Sequence, residues 1–160
     1  MQIKLKFFII LIMKEEQTLI IIKPDALQRN LLGEIINRFE RKGLKIIGLK
    51  MMQLEDVILE EHYFHHKDKP FFESLKRYMK SSPVAVMALS GMNVVSAVRL
   101  IVGPTKGYEA DAGSIRGDFA LSSQSNIVHA SDSPENAEVE IRRFFKPDEL
   151  FEYKKIDFDL

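Results

Sequence analysis

Cysteine is missing from all 160 residues, which excludes a disulfide framework, a thiolate nucleophile and any zinc site built on sulfur. That absence suits a cytoplasmic protein. Net charge is missing too: 23 basic residues balance 23 acidic ones, so the broad electrostatic footprint of a dedicated nucleic-acid binder is absent and the expected partners are small. Neither G-x-x-x-x-G-K-[ST] nor G-x-G-x-x-G occurs, so any phosphate site must be assembled from side chains. No apolar run is long enough to span a membrane. Phe7 to Met13 follows basic residues like the opening of a secretory signal, but no small-residue cleavage site comes after it and Lys14-Glu15-Glu16 interrupts it. Residues 1 to 12 therefore read as an N-terminal extension from a mis-assigned start, with Met13 the true one. Repeats, low-complexity tracts and linkers are also lacking, so residues 13–160 form one domain, long enough to bury a core without staples.

What is present is an alternation of strands and helices. "TLIII" from Thr18 is a β-branched, apolar run stopped by Lys23-Pro24-Asp25, as in a buried central strand. Leu32, Ile35, Ile36 and Phe39 then make one helical face, with Gly43 where a C-terminal cap belongs. "LKIIGLKMMQL" (44–54) and "PVAVMAL" (83–89) read as further strands. Between them, residues 55 to 80 carry two helical patterns separated by Lys69-Pro70. A short helix through Asn93 to Ile101 leads into a long loop, "VGPTKGYEADAGS". Ile127-Val128 is a short strand, and Ser133 caps a helix with Pro134 at its first position and Ala137, Ile141, Phe144 and Phe145 on its buried side. The pattern is an α+β sandwich.

His129 sits where that last strand gives way to the helix. A histidine at a strand end commonly makes only a satisfied hydrogen bond, so its neighbours decide its meaning. Lys23, Arg99, Thr105 and Arg116 are each ordinary surface residues alone; gathered around His129 they would make a cationic cradle for a polyphosphate. Competing patterns are weaker. His62, His65 and His66 have helical spacing for a metal but lack an obvious carboxylate partner. Arg116-Gly117-Asp118 spells an adhesion tripeptide, a three-letter match of low specificity, and Ser131 and Ser133 lie in a capping segment with no G-x-S-x-G elbow.

The segments "KPDA", "HYFHHKDKPFF", "GSIRGDF" and "NIVHASDS", in this order, resemble the signature segments of nucleoside diphosphate kinases, and the resemblance runs from about Thr18 through "FFKPDELFEY". It implies a ferredoxin-like βαββαβ core with a four-stranded antiparallel sheet, helices on one face and a helical hairpin over residues 55 to 80. It also implies γ-phosphoryl transfer from ATP or another nucleoside triphosphate to a nucleoside diphosphate, by a ping-pong route through a phosphohistidine. On the matching positions His129 is the nucleophile through Nδ1, Glu140 bonds the other ring nitrogen and Ser131 supports that carboxylate. Lys23, Arg99, Thr105 and Arg116 meet the phosphates, His66 lies near the α-phosphate and Tyr63 beside the transferred group. Phe71 stacks on the base while Phe72 is core, and Lys23 and Asn126 meet the ribose hydroxyls. Mg²⁺ is the implied cofactor, held mainly by substrate phosphates and water rather than by protein ligands. A homo-oligomer is expected, a hexamer before a tetramer because "KPDELFEYKKIDFDL" is similar to the extension of hexameric relatives.

Three departures stand out. Ser122-Ser123 occupies the usually aliphatic wall of the base slot, Ala130 follows the histidine where glycine is commoner, and "TKGYEADAGS" lacks the usual Asn-Pro after its threonine. The rival reading from another class is a non-catalytic regulatory module of the same fold that binds nucleotide or single-stranded nucleic acid.

Overall fold

The computed structural model describes residues 15 to 156; the extension 1–12 and the start at Met13 lie outside them. Strand β1 (Glu15–Ile22) leads into a short helix α1 (Pro24–Gln28) and then α2 (Leu32–Arg41). Strand β2 (Lys45–Met52) is followed by the hairpin of α3 (Asp56–His62) and α4 (Phe72–Lys80), with a 3₁₀ turn at Phe64–His66 between them. Then come β3 (Val84–Met92), α5 (Val94–Val102), α6 (Ile115–Phe119), β4 (Val128–Ala130) and α7 (Pro134–Phe144).

The strands lie in the order β2-β3-β1-β4 and every neighbouring pair is antiparallel. β1 and β3 occupy the centre, which is why both read as continuous apolar runs rather than alternating ones. Ile20, Ile22, Met87 and Leu89 point to one face, against Ile35 and Phe39 of α2 and Val94 and Val98 of α5. Leu19, Ile21, Val86 and Ala88 point to the other, against Leu59, Leu75 and Met79 of the hairpin and Ile141 and Phe144 of α7. The ferredoxin-like core is therefore as expected, but helices cover both faces of the sheet rather than one. The reason is in the strands: a continuous apolar run puts apolar side chains on both sides and leaves neither face fit for water.

Helix ends follow their residues. Gly43, at φ +86°, closes α2 as expected, with Leu44 N–H reaching back to Phe39 O at 3.2 Å. Ser133 caps α7 by accepting from Asn136 N–H at 3.2 Å. The Lys69-Pro70 break falls in the loop between the two hairpin helices. On the outer edge, Gly48 sits at a register irregularity of β2 because the C-terminal segment crosses it: a Cβ there would lie 2.9 Å from Leu150 and 3.0 Å from Phe145. Phe151 N–H then donates to Ile47 O at 2.7 Å. No helix among the described residues is long and apolar enough to cross a membrane.

Candidate active site

The site begins with a strained turn. Asn126 O accepts from Val128 N–H at 2.8 Å across Ile127, whose φ is +74°, so this β-branched residue is the centre of a γ-turn. Such a conformation costs about 1–3 kcal/mol and persists only where its surroundings fix it. Here Ile127 O accepts from Lys23 N–H at 2.9 Å, Ile127 N–H donates to Asp25 Oδ2 at 3.2 Å, and the side chain is fully buried. The expected strand at Ile127-Val128 accordingly starts one residue late: propensity favoured β structure at Ile127, and the contacts with Lys23 and Asp25 override it.

Past the turn, β4 pairs His129 with Ile21 of β1. His129 Nε2 lies 3.1 Å from Glu140 Oε2 of α7, and Ser131 Oγ donates to the same oxygen at 2.6 Å. The Ser131 hydroxyl in turn accepts from Leu19 N–H at 3.1 Å, which anchors the carboxylate to the central strand. Burial pushes the Glu140 carboxyl up, but its bonds to His129 and Ser131 outweigh this and leave it below its usual value, ionised. A carboxylate only accepts, so Nε2 carries the proton and Nδ1 keeps a free lone pair.

Behind His129 lie the cations. Lys23 is buried, and Nζ donates to Asn126 Oδ1 at 2.6 Å. Burial and the nearby Arg116 push its pKa down to about 8, against the opposing pull of Asp25. The Arg116 guanidinium donates to Gly103 O at 2.9 Å, Val128 O at 2.6 Å and Asn126 O at 3.2 Å. Burial, helped by Arg99, lowers its pKa to about 10, so it stays charged at neutral pH. Three carbonyls fix the fork and leave further N–H donors free. Arg99, on α5, and Thr105 are exposed. Asn126 is a hub: its amide N–H₂ donates to Thr105 O at 3.0 Å and Ser123 O at 2.9 Å. Toward the ribose hydroxyls expected for it, only spare acceptor capacity on Oδ1 remains.

The far wall comes from the hairpin. The Tyr63 hydroxyl is buried with no partner among the described residues. Burial, with Glu140 nearby, raises the phenol far above its usual range, so it is a proton donor. Phe71 is 46% exposed while Phe72 is buried, as expected, and His66 meets Phe71 edge-on at 5.1 Å. The three histidines do not share one helix face: α3 ends at His62, and His65 and His66 ride the 3₁₀ turn. The polar trio that does converge is His62, His129 and Glu140, with one ligand-type atom of each lying within 4.8 Å of the others.

These parts enclose one cleft of about 900 Å³, lined by every candidate residue except Ser131, which stands behind Glu140. The "Nucleoside diphosphate kinase" family model matches residues 16–150. The chain belongs to the nucleoside diphosphate kinase family. It is 53% identical over 139 residues to a nucleoside diphosphate kinase of Parabacteroides distasonis, covering 87% of this chain and 91% of that one. It is 54% identical over 141 residues to one of Staphylothermus marinus, covering 88% and 100%. Among solved structures it superposes on the Halobacterium salinarum nucleoside diphosphate kinase in complex with CDP with a TM-score of 0.87 and 39% identity, covering 89% and 95% of the two chains.

At the base slot the serine pair divides its roles. Ser122 Oγ is occupied, accepting from Gln124 N–H at 3.1 Å and Ser125 N–H at 3.3 Å, and it is Ser123 and Gln124 that line the cleft. Sequence reasoning missed Asp25 and Arg143, and weighed His62 only as a metal ligand beside His65 and His66. Asp25 was visible inside "KPDA"; nothing in the spacing pointed to Arg143.

Proposed function

We propose that this member of the nucleoside diphosphate kinase family moves a γ-phosphoryl group from ATP or another nucleoside triphosphate to a nucleoside diphosphate through His129. One observation carries the reading: Glu140 occupies Nε2, which leaves a bare Nδ1 in a cleft backed by Lys23, Arg99 and Arg116. The Nδ1 lone pair attacks the γ-phosphorus and a P–N bond forms. The bond from that phosphorus to the β,γ-bridging oxygen breaks, and the nucleoside diphosphate leaves with its electrons. Positive charge developing on the ring is shared with Glu140 through the Nε2–H bond, so no proton need leave. The acceptor's β-phosphate oxygen then attacks the same phosphorus and the P–N bond breaks in reverse.

Phosphoryl transfer asks for alignment and charge neutralisation, which the three cations, Thr105 and the Tyr63 hydroxyl supply, with His66 near the α-phosphate. Phe71 is the stacking platform for the base, and a π-face accepts any base. The family's phosphotransfer works with a divalent metal, and we assign Mg²⁺. The donor set fits an ion carried in by the substrate: cations surround the phosphate end and Glu140 is already committed, so oxygens of the nucleotide and water would hold it. Bound there, Mg²⁺ neutralises phosphate charge. We further assign a cytoplasmic location, which the lack of cysteine suits, and a hexamer, which the likeness of "KPDELFEYKKIDFDL" to the extension of hexameric relatives favours.

The test is brief incubation with γ-labelled ATP beside His129→Ala. Acid-labile, alkali-stable label that is absent from the variant and chases onto added nucleoside diphosphate is expected. A folded, ATP-binding chain that takes no label would turn the reading to a binding module.

A further inference from the structure

His62 is a buried titratable group that the transfer described above does not use. It closes α3, is 5% exposed, and borders the cleft. Its ring meets three others edge to face: His129 at 4.6 Å and 78°, Tyr63 at 4.6 Å and 73°, and Phe144 at 5.2 Å and 86°. Arg143 of α7 lies 3.3 Å from Nδ1. A guanidinium only donates, so Nδ1 accepts and the proton sits on Nε2, which is buried with no partner among the described residues. Burial, then His129, Arg143, His65 and Lys23, hold the ring well below its usual pKa and therefore neutral. Arg143 and Lys23 oppose a metal ion in the His62, His129, Glu140 cluster.

A single hydrogen bond fixes one atom of an imidazole but leaves the ring free to swing about that bond. Glu140 alone would thus set which nitrogen faces the cleft without setting its direction. We propose that His62 is a positioning residue whose neutral ring forms the wall against which His129 rests, so that Nδ1 points along one line toward the phosphorus. A cationic side chain in this place would oppose the charge that develops on His129; a neutral aromatic one does not. Alignment of this kind is what transfer rates depend on, since a displacement of about 1 Å can cost about 100-fold.

The inference rests on His129 carrying the phosphoryl group, so the wild type and His129→Ala are labelled first. Absence of histidine label there removes that reading and this one with it. With label established, His62→Phe keeps an aromatic face and His62→Leu keeps only apolar volume. Rates of phosphoenzyme formation are measured across ATP concentration. We expect His62→Leu to lose at least about tenfold at saturating ATP, with half-saturation within about twofold of wild type, and His62→Phe to stay within about threefold in rate. Any other pattern overturns the proposal, including an unimpaired Leu variant or equal losses in both variants alongside a fall in melting temperature.

Discussion

Taking the protein from pH 7 to 9.5 should weaken nucleotide binding while one part of its folding free energy improves, and Lys23 connects the two. Its ammonium is buried, hydrogen-bonded to Asn126 rather than to a carboxylate, and its pKa is lowered from 10.5 to about 8. In the free protein it is charged at pH 7 and mostly neutral at pH 9. Phosphates bound against it restore the charge, so binding above pH 8 requires uptake of a proton. Affinity for an adenine nucleotide, whose base does not ionise in this range, should fall about tenfold between pH 7 and 9. Stability moves the opposite way. Between pH 8 and 10.5 the unfolded chain holds the Lys23 proton and the folded chain does not, so this residue's contribution to stability rises with pH, by about 3 kcal/mol across the window. Calorimetric titration with ADP and denaturant unfolding, each run on wild type and Lys23→Met, isolate both effects as differences between the two proteins. A wild-type affinity that is flat to pH 9.5, or a slope that survives in Lys23→Met, would refute the reasoning.

Two further outcomes follow from the hydrogen bonds. Arg116→Ala should reduce phosphotransfer by at least about 100-fold, and should also lower stability by about 3 kcal/mol, because the Gly103, Asn126 and Val128 carbonyls lose a charged donor; coupled turnover assays and chemical unfolding check the two separately. Asp25→Ala should cost about 1–3 kcal/mol by stranding Ile127 N–H and breaking the Tyr78 hydroxyl's bond to the carboxylate. It also removes the carboxylate that raises Lys23, so the loss of ADP affinity should begin at lower pH than in wild type.

Much of this was legible in the chain because the informative features are local. The β-branched runs marked β1 and β3, Ser133-Pro134 marked the start of α7, and Phe71-Phe72 divided into exposed and buried as the segment implied. The candidate residues came from motif positions rather than from periodicity, and the cleft gathers all of them except Ser131. What could not be read is set by contacts distant in sequence. Ile127 has strand propensity and adopts φ +74° because Lys23 and Asp25, about a hundred positions earlier, claim its backbone. The three histidines looked like one helical face, but α3 stops at His62, and the 3₁₀ turn after it sends His65 and His66 elsewhere. Arg143 reaches His62 from across 81 positions, and no spacing rule anticipates that.

The free protein holds several unfavourable arrangements around one histidine. Ile127 is strained, and among the described residues Lys23 is a buried cation with no hydrogen-bonded anion and the Tyr63 hydroxyl has no partner. The fold can bear these costs because β1 and β3 bury Leu19 to Ile22 and Val84 to Leu89 almost completely between two helical layers. Of the three, the strain at Ile127 is permanent and spends stability on geometry, since it sets where β4 begins and so where His129 sits. On the proposed function the other two would be relieved by an anion with several acceptor oxygens, which supplies both a counter-charge and a hydrogen-bond partner. A chain with no net charge could in this way select a polyphosphate, with selectivity residing in a few donors that water reaches poorly and not in the field of the whole surface.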